Sequence, residues 1–77
     1  MHQLPLTPRE LEIARYYAGG KNHKAIAGIT HITLSTVENT LWRVKTKYRA
    51  AGYEVHTGAD VRGCLERDGI LEAGDQA

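Results

Sequence analysis

Hydrophobic positions recur along this chain with the spacing of helix faces, in blocks separated by residues that stop helices. The first block follows Leu6-Thr7-Pro8-Arg9-Glu10-Leu11. Thr7 reads as an N-cap, Pro8 takes the first helical position, where a missing N–H costs nothing, and Glu10 completes a capping box. Leu6 and Leu11 are spaced for a hydrophobic staple. Leu11, Ala14 and Ala18, with Ile13 and Tyr17 alongside, form one apolar face, and Gly19-Gly20 supplies a left-handed stop. The pattern predicts a helix over about residues 8–18.

The second block is short. Asn22 can cap a helix over 22–29 whose apolar members are Ile26, Ala27 and Ile29, and the β-branched run Ile29-Thr30-His31-Ile32-Thr33 breaks it. Thr33 then caps a third helix over 34–50, in which Val37, Leu41, Val44 and Tyr48 step by four, three and four along one stripe. Ala51-Gly52 ends it and Tyr53 to His56 is a connector. Thr57, with Asp60 three residues on, starts a fourth helix over 58–68 that carries Val61, Cys64 and Leu65, and Gly69 stops it. The tail over 72–77 is expected to fray. The expected fold is all-α, four helices in one domain over residues 1–71, with a short helix, a turn and a longer helix forming a helix-turn-helix.

With 77 residues there is room for one domain, and 42% hydrophobic residues without Phe imply a core of Leu, Ile, Val, Ala and Tyr. Tyr16, Tyr17, Tyr48 and Tyr53 read as core and rim rather than stacking platforms. No apolar run approaches the roughly 20 residues that span a bilayer, and the start lacks the order of a secretion signal, so a soluble, cytoplasmic protein is expected. Cys64 has no second cysteine to pair with, and with four scattered His it matches no zinc spacing. Neither disulfide, metal nor cofactor is expected. No nucleophile triad, paired-carboxylate pocket or phosphate loop is visible, which argues against an enzyme.

Charge divides the chain. Up to Ala50, eight basic side chains stand against three acidic ones, and from Ala51 onward two stand against six. A basic body with an acidic end suits docking on a polyanion through one part and on something else through the other, although an ordinary mixed surface has the same composition.

Leu6-Thr7-Pro8-Arg9-Glu10, Glu12-Ile13, Ala18, Gly20, Lys24, Ile26-Ala27, Thr36-Val37 and Lys47 fall without a gap on the pattern of LuxR/NarL/GerE-type helix-turn-helix domains, which the chain resembles over its first two-thirds. Sigma-factor region 4 has nearly the same pattern. The resemblance implies a DNA-binding transcription regulator in which the third helix enters the major groove of double-stranded DNA and the fourth supports a homodimer. It matches Lys24 and Thr36 to phosphate contacts, and Glu38, Asn39 and Trp42 to base-reading positions. At about 100° per residue, Ser35, Glu38, Asn39, Trp42, Lys45, Thr46 and Arg49 lie opposite the apolar stripe. Ser35 therefore joins the base-reading set, and Thr33, Lys45, Thr46, Lys47 and Arg49 join the phosphate-binding set, unless the cations form only a solvated helix end. Val61, Cys64 and Leu65 either form the dimer seam or pack on the first helix. The chain reads as a free-standing module whose activity follows its own concentration or a separate partner.

The sequence also departs from the family. Glu38 stands where Lys or Arg is usual, with no cation three or four residues away on its helix; a carboxylate there faces the negative surface of DNA, and it can accept a hydrogen bond from cytosine N4. Thr30 replaces a usual core Leu and Ile29 a usual polar residue, implying a slightly rotated second helix. The connector from Arg49 to Thr57 is longer than usual. Trp42 touches a thymine methyl, anchors a protein partner, or folds back on the domain. The alternative function is a protein-interaction module that binds RNA polymerase or another regulator through the Glu38/Trp42 face.

Overall fold

Each expected block folds as a helix in the computed structural model, which describes residues 6–69: α1 (Pro8–Ala18), α2 (His23–Thr30), α3 (Leu34–Ala50) and α4 (Gly58–Arg67). The expected end of the domain at residue 71 and the tail over 72–77 lie outside the described residues. Thr7 caps α1 and forms the capping box, with Glu10 N donating to Thr7 Oγ1 at 3.1 Å and Thr7 N donating to Glu10 Oε1 at 3.0 Å. Thr57 and Asp60 repeat the device at α4. The backbone N–H groups of His56 and Thr57 hold the Asp60 carboxyl below its ordinary range.

Two apolar clusters form the interior. Ile13 of α1, Ile26 of α2, and Val37 and Leu41 of α3 make one. Ala14 and Ala18 of α1, Val44 and Tyr48 of α3, Val55 of the connector, and Val61, Cys64 and Leu65 of α4 make the other. The apolar stripe of α3 therefore feeds both, its first half into one and its second half into the other. Full burial of each large aliphatic side chain contributes about 1.5–3 kcal/mol.

This arrangement corrects the expected dimer seam. Val61 and Leu65 are completely buried and Cys64 nearly so, packed in the cluster that α4 shares with α1 and α3, so they are not available to a second copy. The physical reason is size: a ten-residue helix in so small a domain has one apolar stripe, and closing the core consumes it. Burial also pushes the Cys64 thiol above its ordinary pKa and keeps it protonated.

The second cluster contains a residue that periodicity missed. Val55, in the connector, is completely buried and anchors the segment between α3 and α4. Gly58 lets α4 approach α1 closely, because a Cβ there would lie 2.6 Å from the Tyr17 carbonyl oxygen.

Polar ties reinforce the same end. Tyr48 Oη donates to Asp68 Oδ2 at 3.1 Å, and both residues are buried. Burial, together with the neighbouring Asp68 charge, pushes the phenol far above its ordinary pKa, so it remains a donor. Lys47 Nζ donates to Glu10 Oε1 at 2.6 Å, joining the last turn of α3 to the capping box of α1. Burial pushes the Glu10 carboxyl up, but the Lys47 ammonium, the Thr7 N–H and the charge of Arg43 more than reverse this and hold it below its ordinary value. Among the described residues, no buried side-chain nitrogen or oxygen lacks a hydrogen-bond partner.

Candidate nucleic-acid interface

The turn that sets α3 at an angle to α2 is built on an unusual backbone. His31 adopts the left-handed conformation, with φ 58° and ψ 37°, and its N–H reaches back to the Ala27 carbonyl. The conformation of His31 ends the helix, which includes Thr30. That is one residue more than the β-branched run suggested, because Thr30 turns its hydroxyl inward and donates to the Ile26 carbonyl at 2.7 Å. With its own polar group satisfied, Thr30 occupies a half-buried position while Ile29 stands 43% exposed.

Beyond the turn, Thr33 caps α3: Thr36 N donates to Thr33 Oγ1 at 3.1 Å, and the two hydroxyl oxygens lie 2.8 Å apart. Both threonines are exposed at the helix N-terminus, where backbone N–H groups and the helix dipole favour an anion. From there, Ser35, Asn39, Trp42 and Thr46 form a continuous exposed strip opposite the buried stripe. Trp42 is 63% exposed and does not fold back onto the domain. Arg43, four residues from Asn39 on the same side, is exposed as well. The spacing alone placed it within reach of this strip, but its 100° rotation from Trp42 hid it from a reading centred on the middle of the face.

One edge of the strip meets α2. Glu38 is exposed, and its Oε2 lies 4.0 Å from His23 Nδ1 across the turn, a contact that becomes an ion pair when the imidazole carries a proton. The His23 ring lies against Tyr17, with centroids 5.5 Å apart, and the Lys45 ammonium sits 5.1 Å above the other end of this arrangement, over the Tyr17 ring. An open cleft there is lined by Tyr17, Asn22, His23, Lys24, Leu34 and Glu38, and places the exposed Lys24 beside Glu38.

The basic end of α3 is arranged differently from the expectation. Lys47 points toward α1 and is bound by the buried Glu10. Arg49 donates through Nε and Nη2 to the Val55 carbonyl, at 3.0 and 2.7 Å, and approaches His56 Nδ1 at 3.2 Å. Both were expected to bind phosphate, and the structure corrects this by committing their charge-assisted hydrogen bonds to the fold. Lys45 remains at the margin of the exposed face, and Lys24 and Arg43 are its outward cations.

A helix-turn-helix with an outward strip of this composition is matched over residues 4–55 by the GerE family model, described as bacterial regulatory proteins, luxR family. The chain belongs to the luxR family. The match spans α1, α2, α3 and the connector as far as Val55, and stops before α4. The helix-turn-helix is accordingly that of a DNA-binding transcription regulator. No curated protein and no solved structure matches the chain.

Proposed function

We propose that this luxR-family chain binds double-stranded DNA in a sequence-dependent manner by placing α3 in the major groove, and that it regulates transcription from there. The exposed strip of Ser35, Asn39, Trp42 and Thr46 carries this reading: a helix of a small domain offers polar and aromatic side chains outward, free of the core. Asn39 suits a bidentate contact to adenine, Trp42 contact with a thymine methyl, and Glu38 acceptance from cytosine N4. Lys24, Arg43 and Lys45, with the Thr33–Thr36 end of α3, address the phosphates. Such a protein works where the chromosome is, in the cytoplasm, and among the described residues no helix is long and apolar enough to cross a membrane.

The protein acts as a homodimer in this reading, with each copy occupying one half-site. With the stripe of α4 buried, two copies meet through the outer side of that helix, where Ala59 and Gly63 are exposed. The domain responsible is taken as residues 1–71.

A salt titration of binding to mixed duplex fragments tests the reading. About three neutralised phosphates per protomer give a log–log slope of about −3 for each copy, and twice that for a pair bound together. Absence of binding at low salt overturns it.

A second reading is favoured by the 63% exposure of Trp42 beside the acidic Glu38. In it, this face binds RNA polymerase or another regulator, with Trp42 as the anchor. Trp42→Ala then costs about 2 kcal/mol or more of partner affinity and leaves DNA affinity unchanged, whereas under the first reading it weakens a selected DNA site without altering the salt slope.

A further inference from the structure

We propose that His23 is a positioning residue for Glu38, and that protonation of this imidazole switches the α3 face from reading a base to general attraction for the DNA backbone. The inference rests on the DNA-binding function above and concerns how that function discriminates between sites.

The observations begin with the isolation of Glu38 on its own helix. Its neighbours three and four residues away are Leu34, Ser35, Leu41 and Trp42, none of which carries charge. The group that faces its carboxylate comes from the first turn of α2, with His23 Nδ1 4.0 Å from Glu38 Oε2. The imidazole is held there from behind by the ring of Tyr17. The charged and titratable groups around it are Glu38 from α3, Tyr17 from α1, Lys24 beside it on α2, and Lys45 of α3 across the Tyr17 ring. Histidine is the side-chain type that ordinarily changes charge between about pH 5 and pH 8.

The two states differ in what Glu38 can do. With His23 neutral, the carboxylate is an uncompensated anion on the face that meets DNA. It repels phosphates everywhere and is tolerated only where a cytosine N4 donates to it, which penalises every other base. With His23 protonated, the carboxylate is drawn to the imidazolium and its charge is compensated. Non-specific binding then strengthens and the preference for the contacted base falls.

The test measures affinity for a selected duplex site and for an unrelated duplex of equal length, at about pH 7.5 and about pH 5.5. The proteins compared are the wild type, His23→Gln, Glu38→Gln and His31→Gln, each first shown to be folded by its melting transition at both pH values. In the wild type the ratio of selected to unrelated affinity falls by about fivefold on acidification, the factor set by one unit charge pair at this separation in water. The ratio is constant with pH in His23→Gln and in Glu38→Gln, and His31→Gln follows the wild type, which excludes the other exposed histidine of the turn. A ratio that is constant in the wild type, or that falls equally in His23→Gln, overturns the assignment while leaving DNA binding in place. Failure of the wild type to bind either duplex at low salt overturns the function itself.

Discussion

The two halves of α3 are held by different chemistry. Its C-terminal half is gripped from every side on which the chain continues: Tyr48 donates to Asp68, Arg49 to the Val55 carbonyl, and Lys47 to Glu10 of α1. Its N-terminal half rests on Val37 and Leu41 against Ile13 and Ile26, and turns its remaining side chains outward. The half richer in cations is thus the structural half, and the half that offers Ser35, Glu38, Asn39 and Trp42 outward is the one that the proposed function uses for reading. Counting basic residues along the helix gives the opposite impression, because formal charge does not tell whether a cation is already bound within the fold.

The sharpest way to break the contrast is to open the gripped end. Leu65→Ala, which empties a completely buried position facing the second half of α3, is expected to destabilise the domain by about 2–5 kcal/mol in urea unfolding. Trp42→Ala at the reading half changes stability by no more than about 0.5 kcal/mol. Comparable losses at both positions would mean that the reading half is not independent of the core.

Next is the tie to α1. Lys47→Met removes the partner of the buried Glu10 carboxylate and is expected to cost about 1.5–3 kcal/mol at neutral pH. The pH dependence gives the sign. Because the folded-state pKa of Glu10 is depressed, its contribution is fully present above the unfolded value and is lost as pH falls through the folded one. In Lys47→Met, burial dominates and raises the carboxyl, so protonation favours the fold and the variant lies closer to wild type in acid than at neutrality. Unfolding curves at several pH values check both halves of the statement.

Tyr48→Phe deletes the donor to the buried Asp68 and is expected to lower stability by about 1–3 kcal/mol, again by denaturant titration. A smaller effect, of opposite sign, is expected at the turn. His31→Gly relieves a left-handed conformation at some cost in chain entropy and is expected to raise stability by about 0.5–1 kcal/mol, seen as a higher melting temperature.

Local chemistry made most of the fold legible. Caps at Thr7, Asn22, Thr33 and Thr57 form the expected hydrogen bonds, since a side chain and a backbone N–H three residues apart need nothing from the rest of the chain. The four-three-four stripe of α3 is buried as its spacing requires. What escaped depends on distant partners. Nothing near Lys47 in sequence announces Glu10, thirty-seven positions earlier, and nothing near Glu38 announces His23. Val55 lies in a segment too short to show a period, so its burial was invisible. The stripe of α4 had two destinations with identical spacing, and only packing chose between them. At the candidate interface, periodicity correctly selected the exposed residues Ser35, Glu38, Asn39, Trp42 and Thr46, while the exposed Arg43 was overlooked.

Because α3 passes through both clusters as one uninterrupted helix of 17 residues, it is mechanically a lever of about 25 Å. Its grip is at one end and its exposed tip at the other. A tilt of about 5° at the end held by Tyr48, Val44 and Leu65 carries the turn at Thr33 through about 2 Å, more than the tolerance of a hydrogen bond to a base edge. Under the proposed function, variation that never touches the outer strip, in the girth of α4 or the length of the connector before it, therefore changes which nucleotides the tip reaches.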